Sequence, residues 1–215
     1  NIFQKFDLCL SSSIQSARYL RLLGARQTKY IGNLKFSETE RNEDAISKNL
    51  KKFFSFKKIW CASSTHQGEE LLCALAHKKL KIKYKNLLTI IIPRHINRTN
   101  DIVEEIKKLD LIVHTHESND KIKKNTDIYI INSYGKTKSF LKICKTVFLG
   151  GSIIKHGGQN PLEAARFGCK ILHGPNVWNF HEIYLLLNKH NLSKKIKNLN
   201  QMTLGIDRMF KSHVD

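Results

Sequence analysis

The chain has 215 residues, of which 41% are hydrophobic and 9% aromatic, a composition typical of an ordinary globular core and unlike that of a disordered chain. Its longest apolar runs, such as residues 87–92, are far shorter than the roughly 20 residues that span a bilayer, so we expect no membrane-spanning segment. A net charge of +19 favours acidic partners such as nucleic acid, phospholipid or phosphorylated substrates, although a general compositional bias toward Lys gives the same value.

The first residues lack an initiator Met and the basic-then-apolar layout of a signal peptide, so we interpret the sequence as a fragment of a longer protein. The cysteines are widely spaced and form no C-x-x-C pair, which favours reduced, buried thiols in a cytoplasmic protein. They are Cys9, Cys61, Cys73, Cys144 and Cys169.

Short β-rich runs alternate with amphipathic stretches along the chain, a pattern typical of an α/β fold with a parallel sheet. The predicted strands are 7–10, 29–31, 58–62, 87–92, 111–115, 127–131, 146–149 and 170–173. The predicted helices are 14–23, 40–54, 69–79, 100–108, 137–143, 161–167, 179–188 and 201–210. Gly24 and Gly168 stand where a helix end needs a left-handed residue. Residues 32–42 are polar and without periodicity, which indicates a domain boundary.

Ligands of a parallel α/β sheet bind beyond the carboxyl ends of its strands, so the loops that follow the strands are the candidate site. The stretch GGSIIKHGGQNPLE at residues 150–163 follows such a strand and contains four glycines. Glycines allow backbone N–H groups to approach an anion, and Ser152 can donate a further hydrogen bond.

The end of this stretch has the signals of a helix start. Asn160 suits the N-cap, Pro161 suits the first helical position, and Asn160 with Glu163 resembles a capping box. In a second interpretation the helix N-terminus faces a phosphate and Glu163 accepts hydrogen bonds from ribose hydroxyls. The single carboxylate of Glu163 can cap the helix and also bind the ribose.

Three other loops bring polar groups to the same edge. Arg94 follows the strand 87–92 and could bind phosphate in a bidentate manner or pair with a carboxylate of a neighbouring helix. Residues 63–70 contain hydroxyls, His66 and an acidic pair, which also suit simple helix capping. Residues 132–136 form a tight loop that could offer backbone groups to a base or be only a turn.

The sequence disfavours a metal site and several classes of enzyme. The ten histidines include no pair with H-x-x-x-H spacing and an acidic third ligand on a predicted helix, so we expect no protein-bound metal. The sequence also lacks a G-x-S-x-G elbow, a P-loop and a G-x-G-x-x-G fingerprint, which disfavours hydrolases, kinases and dehydrogenases.

Taken together, these motifs strongly resemble the 3-deoxy-D-manno-octulosonate (Kdo) transferases of lipid A biosynthesis. The resemblance runs from about residue 7 to the last helix and is most specific at residues 150–163. It rests on Ser64-Thr65-His66-x-Gly68-Glu69, Pro93-Arg94-His95, Gly150-Gly151-Ser152, His156-Gly157-Gly158-x-Asn160-Pro161-Leu162-Glu163, Gly174-Pro175 and Asn179-Phe180.

The resemblance implies the GT-B architecture of two facing Rossmann-like domains. Residues 1–36 would be the tail of the N-terminal, acceptor-binding domain, and residues 37–215 the C-terminal, CMP-Kdo-binding domain, whose last helix is a candidate to cross back to the first. It further implies inverting transfer of Kdo from CMP-Kdo to a lipid A precursor (lipid IVA), with release of CMP, at the cytoplasmic face of the bacterial inner membrane. No metal, other cofactor or nucleic acid is expected, and the general base would belong to the N-terminal domain outside this sequence.

Site residues carried over by motif fall into two groups. Those expected to contact CMP are Pro93, Arg94, Tyr134, Gly135, Lys136, Asn160, Pro161, Leu162 and Glu163. Further donor-site candidates are Thr65, His66, Glu69, His95, Ser133, Gly150, Gly151, Ser152, Gly157 and Gly158, where the nucleotide phosphate and the Kdo sugar would approach the glycine backbone.

One loop departs from the family pattern Asp-Thr-x-Gly-Glu, because Asn132 and Lys136 replace its two acidic residues. A noncatalytic homologue is therefore one open interpretation. A GT-B enzyme that uses a UDP-sugar is a second, and a basic nucleic-acid-binding module, which only the net charge supports, is a third.

Overall fold

The computed structural model describes residues 1–32, 46–116 and 122–212. The chain divides into two compact units, Asn1–Asn42 and Glu43–Asp215. The domain boundary predicted between residues 36 and 37 lies outside the described residues and stays a prediction.

The first unit contains one β-α-β segment whose two strands pair in parallel. Its helix begins after Ser13, whose side chain accepts a hydrogen bond from the Ser16 N–H at 3.0 Å. Gly24 after the helix has φ +89°, the left-handed conformation predicted there. The elements are a 3-10 turn Ile2–Lys5, β1 Cys9–Ser11, α1 Ile14–Leu22 and β2 Thr28–Tyr30.

The second unit is built on a parallel sheet with the strand order β5-β6-β4-β3-β7-β8-β9 among the described residues. Its strands are β3 Lys58–Thr65, β4 Leu87–Pro93, β5 Val113–Thr115, β6 Ile128–Ile130, β7 Thr146–Leu149, β8 Lys170–His173 and β9 Ser193–Lys195. Its helices are α2 Lys48–Ser55, α3 Glu69–Lys81, α4 Thr99–Lys107, α5 Thr137–Leu141, α6 Leu162–Arg166, α7 His181–Lys189 and α8 Leu199–Lys211, with 3-10 turns Ile96–Arg98 and Trp178–Phe180. The predicted α/β class with a parallel sheet is confirmed.

The core lies on both faces of this sheet. In β4, Leu88 and Ile90 point into one buried cluster and Leu87 and Ile91 into the other, because successive side chains of a strand alternate between faces. Every residue of β4 is buried, which explains why its sequence is a continuous apolar run rather than an alternating one.

Most predicted elements are present with shifted ends, and the bounds of the strands at 146–149 and 170–173 agree with the prediction. The predicted helix 40–54 lies partly outside the described residues; the observed helix starts after Ser47, whose side chain accepts from the Leu50 N–H at 3.3 Å. β9 was not predicted, because its three polar residues at the sheet edge carry no apolar pattern.

The cysteines are all free, and every one except Cys9 is buried. In the described part of the chain, no helix combines the length and the apolar character that crossing a bilayer requires.

Candidate functional site

The predicted site loops all leave the carboxyl ends of strands in one parallel sheet, so they lie along one edge. β3 is central, with β4 on one side and β7 on the other. The strand order therefore reverses direction at β3, and such a switch point opens the crevice in which α/β sheets bind ligands.

Glu69, the first residue of α3, organises the loop after β7. Its side chain is buried, with 1% exposure. Oε2 accepts from the backbone N–H of Gly151 at 2.7 Å and from that of His66 at 3.0 Å. Oε1 accepts from the N–H groups of Ser152 at 3.1 Å and Ile153 at 3.0 Å. The anion that these amides bind is thus the protein's own carboxylate, an arrangement that differs from the predicted contact of the glycine backbone with a phosphate.

The glycines of this loop are needed because the chain itself comes close. A β-carbon on Gly150 would lie 2.4 Å from the Ser64 carbonyl oxygen and 2.6 Å from Thr65 Cα. One on Gly174, after β8, would lie 2.1 Å from the Ser152 carbonyl oxygen. Both positions exclude any side chain, since the obstructing atoms belong to the backbone.

Ser152 joins the loops after β7 and β8. Its hydroxyl donates to the Leu149 carbonyl at 2.5 Å and accepts from the Gly174 N–H at 2.8 Å, and the side chain is fully buried. The sequence interpretation, in which Ser152 donates to a bound anion, differs from this arrangement.

Next to the loop that Glu69 holds, three histidines from three loops form a cluster. The ring of His66 lies 4.2 Å from that of His156 and 5.7 Å from that of His95, centroid to centroid. His66 is 7% exposed, whereas His95 and His156 are exposed. Within the described residues, no three or more His, Cys, Asp or Glu side chains are arranged to hold a metal ion.

The surroundings of His66 disfavour its charged form. Burial lowers the pKa of His66, and the neighbouring His156, His95 and Arg94 act in the same direction, while Glu69 opposes them. The imidazole is therefore set to be neutral at neutral pH in the absence of a bound anion.

Arg94 is exposed at the end of β4, and its backbone N–H donates to the Thr65 carbonyl at 2.9 Å. Arg94 forms no ion pair with any other described residue. The alternative in which it pairs with a helix carboxylate is therefore not observed. A guanidinium that does pair with a helix carboxylate at this edge is that of Arg98, which lies 3.1 Å from the buried Glu70. Arg94 is thus the guanidinium presented at the switch point, and Pro93 behind it is buried.

The N-cap position of α6 is taken by Pro161 and not, as predicted, by Asn160. Asn160 Oδ1 accepts from the Leu162 N–H at 3.1 Å, and the helix begins at Leu162, one residue later than expected. Glu163 Oε1 lies 3.9 Å from Nζ of Lys138 in α5. The Glu163 carboxylate therefore lies in the first turn of this short helix, beside a lysine of α5.

The loop after β6 is a tight turn in which Gly135 has φ +77°. Tyr134 is 70% exposed, and the backbone of Lys136 caps α5. The buried hydroxyl of Ser133 has no hydrogen-bond partner among the described residues. The contacts of these residues and of the other candidates with a donor stay predictions.

No family model matches the chain. A curated 3-deoxy-D-manno-octulosonic acid transferase of Haemophilus influenzae is 32% identical over 184 residues, which cover 84% of this chain and 43% of that protein. A probable mitochondrial enzyme of the same name from Arabidopsis thaliana is 29% identical over 165 residues, or 76% of this chain and 36% of that protein. The chain thus spans less than half the length of these relatives, and the resemblance that the motifs predict is confirmed.

Among solved structures, the C-terminal CMP-Kdo binding domain of WaaA from Acinetobacter baumannii superposes with a TM-score of 0.68 at 26% identity, over 75% of this chain and 84% of that domain. The MnaA–UDP structure from S. aureus superposes with a TM-score of 0.60 over 98% of this chain and 54% of that one, but at 13% identity it shares only the fold. The Rossmann-like fold predicted from the sequence is confirmed.

Proposed function

We propose that this chain, a homologue of the 3-deoxy-D-manno-octulosonic acid transferases over most of its length, is the donor-binding part of such a glycosyltransferase. The enzyme would move Kdo from CMP-Kdo to a lipid A precursor and release CMP. The observation that carries the proposal is the likeness to a CMP-Kdo binding domain at 26% identity over 84% of that domain.

The geometry of the carboxyl edge suits a nucleotide. The exposed guanidinium of Arg94 would bind the phosphate, for which its planar fork is well matched. Glu163 at the start of α6 would accept hydrogen bonds from the ribose hydroxyls, and the turn at Tyr134 would face the base. These roles rely on side chains, because the amides of residues 151–153 already bind Glu69.

In the proposed reaction a hydroxyl oxygen of the acceptor forms a bond with the anomeric carbon of Kdo. The bond between that carbon and the phosphate oxygen breaks, and CMP leaves with the electron pair. The acceptor proton passes to a general base that we assign to a part of the enzyme outside this sequence. Arg94 would stabilise the charge that develops on the departing phosphate, in a reaction that inverts the anomeric configuration and for which we propose no metal.

We place this reaction at the cytoplasmic face of the bacterial inner membrane. The net charge of +19 supports this location, since both a bisphosphorylated acceptor and an anionic bilayer surface attract a basic protein.

Calorimetry of the chain with CMP, with UMP as the control and no added metal, tests the proposal. We expect CMP to bind and UMP to bind much more weakly. Arg94→Ala should weaken CMP binding by about 1.5–3 kcal/mol, the contribution of a hydrogen-bonded charge pair, whereas Arg208→Ala on the exposed face of α8 should not.

Equal binding of UMP would favour a UDP-sugar enzyme. If the folded chain binds neither nucleotide, Lys136→Glu separates two causes. Restored CMP binding would show that the altered loop disables the site, and continued absence of binding would contradict the proposal.

A further inference from the structure

A small cavity lies at the carboxyl edge of the sheet, where β8 and β9 end. Its volume is about 120 Å³, and its lining comes from β8, β9, α7 and the loop between β8 and α7. Since a water molecule takes up about 30 Å³ of the liquid, this cavity holds a few water molecules or one small ion. It is well below the roughly 300 Å³ at which pockets for drug-sized ligands begin, so a nucleotide does not fit.

The two strands bring a histidine and a lysine together in this lining. β8 and β9 pair in parallel, with His173 opposite Lys195 and Leu172 opposite Lys194. Because side chains alternate between the two faces of a sheet, His173 and Lys195 share one face, and Lys194 lies on the other. Tyr184 of α7 packs on the shared face, with its ring 4.3 Å from that of His173, centroid to centroid.

The two ring nitrogens of His173 have different surroundings. Nδ1 lies 2.7 Å from the Gly174 carbonyl oxygen, and because a carbonyl oxygen only accepts, Nδ1 carries the proton of this bond. Nε2 has no hydrogen-bond partner among the described residues, yet it is not sealed from solvent. The residue as a whole is only 5% exposed. A nearly buried side chain therefore presents an unpaired nitrogen at the cavity.

The surroundings of His173 favour a neutral ring. Burial lowers the pKa of His173 and the charge of Lys195 acts in the same direction, while the bond to Gly174 opposes them. A neutral ring that carries its proton on Nδ1 has a lone pair on Nε2, so Nε2 accepts a hydrogen bond. The cavity thus offers an acceptor beside a cation.

The cation has no counter-charge from the protein. Lys195 forms no ion pair with any described residue, and the described lining of the cavity contains no carboxylate. The side chains of His181 and Asn188 add further polar groups to the lining. An ammonium group without a counter-charge favours an anion in the cavity and disfavours a metal ion.

These groups together define the chemistry of an occupant. Lys195 calls for a negatively charged oxygen, and Nε2 of His173 calls for a proton that the occupant donates. Hydrogen phosphate has both, whereas sulfate at neutral pH has no proton to donate. Water is the alternative occupant, since it would satisfy Nε2, but it leaves the charge of Lys195 without a partner.

We propose that this cavity is a site for hydrogen phosphate, whose P–OH group donates to Nε2 of His173 and whose charged oxygens contact Lys195. The site is separate from the proposed nucleotide site, because Arg94 follows β4, three strands away from β8 in the sheet. The sequence did not reveal the pair, since Lys195 belongs to β9, a strand that carries no apolar pattern.

The cavity also adjoins the loop that precedes α6. The Tyr184 hydroxyl donates to the Gln159 carbonyl at 3.0 Å, and a β-carbon on Gly158 would lie 2.9 Å from Cγ1 of Val177. Tyr184 and Val177 both line the cavity. The test must therefore distinguish phosphate in this cavity from phosphate at the nearby nucleotide site.

The test is a titration of the chain, labelled with ¹⁵N in its histidines, with sodium phosphate at pH 7 and constant ionic strength. NMR signals of the His173 ring, identified through their proximity to Tyr184, report binding in the cavity itself. We expect a saturable shift with phosphate. Sulfate should bind at least about fivefold more weakly, because it leaves Nε2 without a donor.

Two lysines of β9 provide a matched pair of variants. Lys195→Met should weaken phosphate binding at least about tenfold, the effect of losing a hydrogen-bonded charge. Lys194→Met removes the same charge from the other face of the strand and should change binding less than about twofold. Arg94→Ala should also leave the His173 titration unchanged. Circular dichroism establishes that each variant is folded.

Three results would overturn the proposal without affecting the proposed function. The first is the absence of a saturable shift up to about 50 mM phosphate, which would leave water as the occupant. The second is equal weakening by Lys194→Met and Lys195→Met, because the general positive charge of the chain would then explain binding. The third is loss of the His173 shift in Arg94→Ala, which would locate the phosphate at the nucleotide site. If Lys195→Met does not fold, the comparison of sulfate with phosphate on the wild type decides, and equal affinity overturns the proposal.

Discussion

Two buried carboxylates, one at each edge of the main sheet, are stabilised in opposite ways. Glu69 at the carboxyl edge accepts four backbone N–H groups. Asp127, just before β6 at the amino edge, accepts one from Ile112 at 3.0 Å, and its other oxygen lies 3.5 Å from His77 Nε2 and contacts the ammonium group of Lys81.

The difference reflects what each carboxylate holds in place. The side chains that contact Asp127 come from α3. The negative charge of Asp127 therefore stabilises the packing of α3 against the start of β6. The amides around Glu69 come from the loops after β3 and β7, and their binding fixes backbone. Because the backbone carries out this task, exposed side chains of the same loops, such as His156, remain available for a ligand.

The largest effect is expected at Glu69. Glu69→Ala leaves several buried N–H groups without an acceptor, so we expect the free energy of unfolding to fall by about 3–5 kcal/mol. Urea denaturation followed by circular dichroism measures the change. CMP binding should be lost as well, because the loop that carries the site is no longer held.

The matched control is Glu104→Ala on the exposed side of α4, which should change stability by less than about 0.5 kcal/mol. A loss of less than about 1 kcal/mol for Glu69→Ala would show that water replaces the carboxylate easily. The loop would then need no internal anion, and the contrast with Asp127 would disappear.

An intermediate effect, dependent on pH, is expected at Asp127. Burial raises the pKa of this carboxyl, but the nearby His77 ring, the Ile112 N–H and the Lys81 ammonium group outweigh burial and lower the pKa from 3.8 to about 2. A folded-state pKa below the unfolded value stabilises the protein above pH 3.8, and that stability is lost as the pH falls toward 2. The shift corresponds to about 2 kcal/mol.

Asp127→Asn should therefore be about 2–3 kcal/mol less stable than the wild type at pH 7, and the gap should narrow below pH 4. Urea denaturation between pH 7 and pH 2.5 checks both statements. Asp110→Asn, at a carboxylate that is 95% exposed, serves as the control. A gap that stays constant down to pH 2.5 would mean that the charge of Asp127 does not contribute.

The sequence was sufficient to predict the framework but not the partners of its polar groups. β4 and the start of α6 were predictable because their signals, a continuous apolar run and an Asn-Pro helix start, are local. The bond between Glu69 and Gly151 joins residues 82 positions apart, and no periodicity reports such a pair. At Gly150 and Gly174 the group that comes close is the chain's own backbone, while the approach of a donor to the other glycines of residues 150–158 stays a prediction.

The histidine cluster shows the same limit. Each of His66, His95 and His156 lies in a loop that the sequence places at the carboxyl edge of a strand. Their meeting depends on the strand order, in which β3 lies between β4 and β7. The edge is predictable from alternation of strands and helices, but the neighbours along it follow from topology, which the sequence pattern leaves open.

The smallest effect is expected at Asp207, a third carboxylate with many partners but a more exposed position. Its oxygens lie 2.5 Å from Lys83 Nζ, 2.7 Å from Lys211 Nζ and 2.6 Å from the Tyr84 hydroxyl, and these contacts lower its pKa. The side chain is 17% exposed and both lysines are half exposed or more, so water and salt screen the pairs. Asp207→Asn keeps the hydrogen bond from Tyr84, and we expect a loss of less than about 1 kcal/mol that shrinks further between 0.1 M and 1 M NaCl. A loss of stability above about 2 kcal/mol that does not depend on salt would mean that Asp207 stabilises the fold as strongly as Asp127 does. In that case the number of cationic partners, and not burial, would decide how much a carboxylate stabilises this fold.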